Sequence, residues 1–142
     1  MNNQESLVSA LDRSFERALG LLSSLNPSQL EVPYSPGINP PVWETGHAAF
    51  FFEHFILQKL DGAPPYNPAL NDVWDSFELA HQDRWEAGVF PDKENTLQYV
   101  EYVHDKVRQR ILDKPFSDHD LYLYKYSIFH LNMHIESMVW AR

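Results

Sequence analysis

Four stretches of this chain carry apolar residues at three- and four-residue steps, and prolines stand between them. Proline cannot continue a helix, so this punctuation divides the chain into separate helical rods. In the first rod, from about Ser6 to Ser24, the stripe is Leu7, Leu11, Phe15, Ala18 and Leu22. Asp12, Arg13, Glu16 and Arg17 lie off it. A connector from Asn26 to Asn39 holds Pro27, Pro33 and Pro36-Gly37. Asn39 is then an acceptable N-cap, with Pro40 and Pro41 in the first turn of a second helix that runs toward Leu60. Asp61-Gly62-Ala63-Pro64-Pro65 closes that helix with a glycine and then prolines. The third helix spans Glu94 to Leu112, with Leu97, Val100, Val103, His104, Val107 and Ile111 on its inner side, and Asp113-Lys114-Pro115 ends it. Ser117 or Asp118 caps the fourth, which runs to Arg142.

No segment alternates convincingly with the period of a strand. Between Ala63 and Lys93 lies a span too long for an ordinary loop, and a short helix is expected within it around Asn71 to His81. Short links join helices one to two and three to four, whereas a long crossover joins two to three. The expected fold is all-α, a four-helix bundle with that crossover between helices 2 and 3. With 142 residues the chain makes one domain, 1–142, large enough for its own core. Helix four has no terminal glycine or proline, so the domain is expected to be the N-terminal part of something longer.

Composition narrows the chemistry. The chain has no cysteine, which removes disulfides, a catalytic thiol and thiolate ligation. His, Asp and Glu are left as the strong metal ligands. A net charge of −9 makes nucleic acid and anionic membranes poor partners. Glu53 and His54 interrupt the longest apolar run, which stays below the ~18 residues of a membrane span. The N-terminus lacks the basic and apolar regions of a signal peptide, so a cytoplasmic protein is expected.

His130 and His134 are one helical turn apart, about 40° around the axis and about 6 Å along it. That is a bidentate clamp for a transition metal, needing a third ligand from a facing helix. Spacing alone is weak, since seven histidines in this length give roughly 0.3 chance pairs at any one separation. The surroundings strengthen it. Leu123, Ser127, Met133, Ser137, Met138 and Ala141 are read on the same face, with small residues leaving room near the rings. Two adjacent buried imidazoles without a partner would be costly, and an ion removes that cost. His47, between Gly46 and Ala48-Ala49 and followed by Phe50-Phe51-Phe52, is the expected third ligand, facing inward. Glu136 lies about 200° from His134 and about 240° from His130, too far round to bind the same ion. It is either an acceptor behind a ligand or a plain surface carboxylate. His54 is two turns beyond His47, and His81, His104 and His119 have no partner at ligand spacing.

The run Asn39-Pro-Pro-Val-Trp-Glu-Thr-Gly-His47, the segment Phe51-Phe-Glu-His-Phe-Ile-Leu57 and the later Phe129-His130-x3-His134-x-Glu136 come in a distinctive order. Together they resemble the DinB-like domain of the ergothioneine-type sulfoxide synthases, in wording nearest the selenoneine synthase branch. Val73-Trp-Asp-Ser-Phe77 through His81-x2-Arg84-Trp85 is similar to the same branch. The resemblance implies a four-helix bundle in which His47, His130 and His134 hold non-haem iron(II). It implies that Arg84 contacts substrate carboxylates, the alternative being a solvated surface arginine; Trp43 and Trp85 either line the pocket or are packing residues. It also implies a second, formylglycine-generating-enzyme-like domain C-terminal to the bundle, which supplies much of the pocket and a catalytic tyrosine. No catalytic residue is assigned within this chain.

Three neutral imidazoles leave a bound ion its full charge and open positions for a thiol or selenium donor, trimethylhistidine and dioxygen. Iron(II) suits the oxygen step, whereas zinc would only acidify a thiol or water. Two alternatives stand beside this reading: a self-sufficient, zinc-dependent thiol S-transferase of the same superfamily, and a non-catalytic helical module with structural histidines. An aromatic-rich face left exposed by an absent domain would favour a homodimer.

Overall fold

A computed structural model of the protein describes residues 3–86 and 88–140. Among the described residues every regular element is helical: α1 (Asn3–Ser24), the single turn α2 (Pro27–Leu30), α3 (Pro41–Phe52), α4 (Lys93–Asp113) and α5 (Asp118–Trp140). α3 runs directly into a wider π-helical turn, Glu53–Gln58, and 3-10 turns stand at Pro68–Leu70 and His81–Trp85. α1 packs on α4 and α5, and α3 packs on the same two, which makes a four-cornered bundle with α1 and α3 across its diagonal. These four long helices are the expected ones, with the long crossover between α3 and α4. α2 is an addition. Asn26 and Gln29 cap each other there, each side chain accepting from the other's backbone N–H.

The α1 stripe is buried as the periodicity requires, Leu11, Phe15 and Ala18 completely. In α4, Val100, Val103, Val107 and Ile111 are buried, joined by Thr96 and Tyr99. His104 is half-buried, stacked on Phe15 and bonded through Nε2 to Asp12 at 2.7 Å. Ser117 accepts from the Asp120 N–H and so opens α5. α5 departs from expectation on one point. Met133 does not share the inward face of the histidines but is 49% exposed, and Ser137 is exposed too. One residue's step of about 100° carries Met133 away from His134. Ala141 and Arg142, and with them the expected run of the helix to Arg142, lie outside the described residues.

The start of α3 also needs correction. Pro40 precedes the helix without a side-chain cap, and the Asn39 side chain instead accepts from Arg84. The helix expected over Asn71–His81 does not form. Its backbone carbonyls are claimed from outside: Val73 O by Trp43 Nε1, Trp74 O by His47, and Ser76 O and Leu79 O by Arg84. A helix would turn those oxygens along its own axis, toward its own N–H groups. Asp75 further fixes a local turn by accepting from the Phe77 N–H. The crossover is therefore an irregular arm sewn onto the end of α3. No helix among the described residues is long and apolar enough to cross a membrane.

Candidate metal centre

α3 and α5 lie side by side, and their adjoining faces bring His47, His130 and His134 together. One nitrogen from each ring lies within 4.8 Å of the others. The two α5 rings, with centroids 4.5 Å apart, oppose their Nε2 atoms at 3.1 Å. Two nitrogens each about 2.1 Å from one ion and about 90° apart would be separated by about 3.0 Å, so this pair already has the spacing of adjacent ligands. The His47 ring centroid is 4.9 Å from that of His134 and 5.3 Å from that of His130.

The outer nitrogens show which way the rings present themselves. His47 Nδ1 is 2.7 Å from Trp74 O, a pure acceptor, so it carries the proton and leaves the Nε2 lone pair for the cluster. His134 Nδ1 is 2.8 Å from Glu44 Oε2, which fixes the same tautomer. His130 Nδ1 is buried without a partner, and Phe51 stacks on that ring at 4.2 Å. Burial pushes the His47 ring from 6.5 down to about 4, opposed by the Trp74 carbonyl and reinforced by His134 and Arg84. Burial pushes His130 to about 3, and the two other imidazoles add to the shift. Both are neutral near pH 7, the form a metal requires. The three rings thus fit a divalent transition ion in number and nitrogen spacing, with the tautomer fixed for His47 and His134 and the neutral form favoured by burial for His47 and His130.

Those shifts bear on stability. Protonation is easier in the unfolded chain, so the metal-free protein is most stable above about pH 6.5 and loses stability as pH falls toward about 4. At about pH 5 the loss is expected to be roughly 2 kcal/mol for the His47 ring, with a smaller addition from the less buried, more solvent-screened His130 ring. Urea unfolding of the metal-free protein at neutral pH and at about pH 5 measures it. An unchanged midpoint would contradict the buried, neutral state of the rings.

Glu44 was not singled out by the sequence, yet it is 3% exposed and holds His134 directly. Its signal was there: a carboxylate one turn before His47 in an otherwise apolar helix start. Glu136, by contrast, is placed away from the rings, in an exposed pair with Arg17 at 3.3 Å. Removing the Glu44 charge in Glu44→Gln is expected to weaken metal binding roughly ten- to hundredfold, read by competition with a chelator of known affinity. Glu136→Ala is expected to leave that affinity unchanged.

Residues of α3 and of the crossover support the cluster from behind. Trp43 is 1% exposed, stacks on His47 at 4.8 Å and donates Nε1–H to Val73 O. The Arg84 guanidinium lies 3.9 Å over the Trp43 ring and is buried. Its Nη1 donates to Asn39, and its Nη2 donates to Leu79 O and Ser76 O. Nε is buried without a partner. Trp85 donates to Val32 O, pinning the crossover to the proline-rich connector. Trp85 also borders an open groove of about 680 Å³ with Arg84, Val42 and Phe90, and none of the three histidines lines it. Of the other histidines, His54 packs on Phe50, His81 bonds to Ser35 O, and His119 is exposed.

No curated protein is similar enough in sequence to count as a relative. Residues 10–138, nearly the whole bundle including all three histidines, match the sequence profile of one family. The chain belongs to the DinB superfamily.

Proposed function

We propose that this chain is the iron(II)-binding part of an oxygen-dependent synthase that joins sulfur or selenium to carbon on trimethylhistidine. The observation that supports the reading most is the meeting of three imidazoles from two helices at ligand spacing. The motif resemblance around Trp43–His47 and His130–Glu136 supplies the reaction class. A ferrous ion bound there would offer open positions to a thiol or selenium donor, to the imidazole of the acceptor and to dioxygen.

The protein's own part is orientation. Glu44 and the Trp74 carbonyl hold two rings in the tautomer that presents Nε2. Phe51 and Trp43 stack on His130 and His47 and restrict water on those sides. Arg84 acts through Trp43, and Trp85 pins the crossover to the proline-rich connector through Val32 O. In this reading the enzyme works in the cytoplasm. A formylglycine-generating-enzyme-like domain completes the pocket and supplies the catalytic tyrosine, and the bundle alone turns over slowly.

The test is reconstitution of tag-free, metal-free protein with ferrous ion under anaerobic conditions. Nitric oxide serves as the oxygen surrogate, and the spectrum of the ferrous nitrosyl is followed as trimethylhistidine is added. One iron per chain and a spectrum that changes with trimethylhistidine are expected. Failure to hold stoichiometric iron, or tight binding of zinc alone, would overturn the proposal.

A further inference from the structure

α5 is apolar on two opposite sides. Its inner side is the core face, Tyr124, Ile128, Leu131, Ile135 and Met138. On its outer side Tyr122, Tyr126, Phe129, Met133 and Trp140 are 47% to 84% exposed. These five and Glu136 follow steps of four and three residues, which keeps them in one narrow stripe about 27 Å long. A helix that is apolar all round is a buried helix, and a continuous exposed stripe of this kind marks an interaction surface.

We infer that the stripe binds a second copy of this chain, with the two α5 helices antiparallel about a two-fold axis that crosses the outer side of α5 midway between Phe129 and Met133. The stripe is complementary to itself in this arrangement. Phe129 of one copy meets Met133 of the other, a favourable sulfur–aromatic contact. Tyr122 meets Trp140, an aromatic pair at each end. Tyr126 meets Glu136, the one charged member, and its hydroxyl donates to the carboxylate. Glu136 uses Oε1 on Arg17, which leaves Oε2 for this bond. Each pair occurs twice by symmetry, so every member of the stripe has a partner. Parallel pairing would instead set Glu136 against Glu136.

The face extends sideways through Phe51, stacked on Tyr126 at 5.6 Å and on His130 at 4.2 Å. The edge of the interface thus reaches the histidine cluster, and dimer formation withdraws that edge from water. The inference does not depend on which metal the cluster holds or on which reaction follows.

Sedimentation equilibrium of the whole chain over a wide concentration range tests it, and a dimer is expected. Met133→Glu is expected to give a monomer with unchanged helical circular dichroism, because the position is exposed and not part of the core. The register is read separately, helped by the absence of native cysteine. Mixing Phe129→Cys chains with Met133→Cys chains under mild oxidation is expected to give a mixed disulfide dimer, well above the yield from either variant alone. A chain that stays monomeric throughout, a dimer that survives Met133→Glu, or equal cross-linking in all three samples overturns the inference.

Discussion

Replacing His134 by alanine is expected to abolish stoichiometric metal binding. The substitution removes one of three ligands and the central one, since His134 lies beside both other rings. It also strands Glu44. That carboxylate is 3% exposed, and His134 Nδ1–H is its hydrogen-bond donor. An uncompensated buried charge costs on the order of 3 kcal/mol, so the variant is expected to be less stable as well. The double variant His134→Ala with Glu44→Gln separates the two effects. It is expected to recover part of the stability and none of the metal. Elemental analysis after tag-free anaerobic purification reads the first effect and urea unfolding the second. Full metal content in the His134→Ala protein would show that the three rings are not the site.

The second large effect comes from a residue with no side chain. A Cβ added at Gly46 would overlap the six-membered ring of Trp74, which is 2% exposed and wedged against Tyr99 and Phe90. The indole has no room to retreat. Gly46→Ala is therefore expected to destabilise the protein by about 3 kcal/mol, lowering Tm by roughly 10 °C. Metal affinity is expected to fall with it, because the Trp74 carbonyl that moves is the one holding His47. Gly20→Ala is the control. It lies in α1 with nothing near its missing Cβ, and is expected to stabilise by about 0.5 to 1 kcal/mol. Equal melting temperatures for the two variants would contradict the wedge.

The long helices were legible because their cores obey a simple period and prolines mark their ends. Leu7 to Leu22 in α1 and Val100 to Ile111 in α4 needed no tertiary information. The meeting of His47 with His130 and His134 was legible for the same reason: spacing fixed the pair, and the apolar setting of His47 turned it inward. What surrounds those rings was not. Glu44 was visible as a lone carboxylate, but its partner across 90 residues of sequence was not. The crossover failed as a helix because main-chain oxygens there serve side chains on α3 and on Arg84, a demand that no local pattern encodes. The two sides of α5 were misjudged in part, since Met133 and the clustered histidines are neighbours in sequence yet face different surroundings.

The sewing of the crossover onto α3 has a consequence for how this molecule tolerates change. The oxygens that steady the His47 ring, the Trp43 indole and the Arg84 guanidinium belong to the peptide backbone of Val73, Trp74, Ser76 and Leu79. Every amino acid brings the same oxygen, so the identities of Val73, Ser76 and Leu79 can drift while the imidazole stays aimed. The chain length between Trp74 and Arg84 is the quantity under restraint, and one inserted residue there would disturb the clustered histidine rings more than most substitutions.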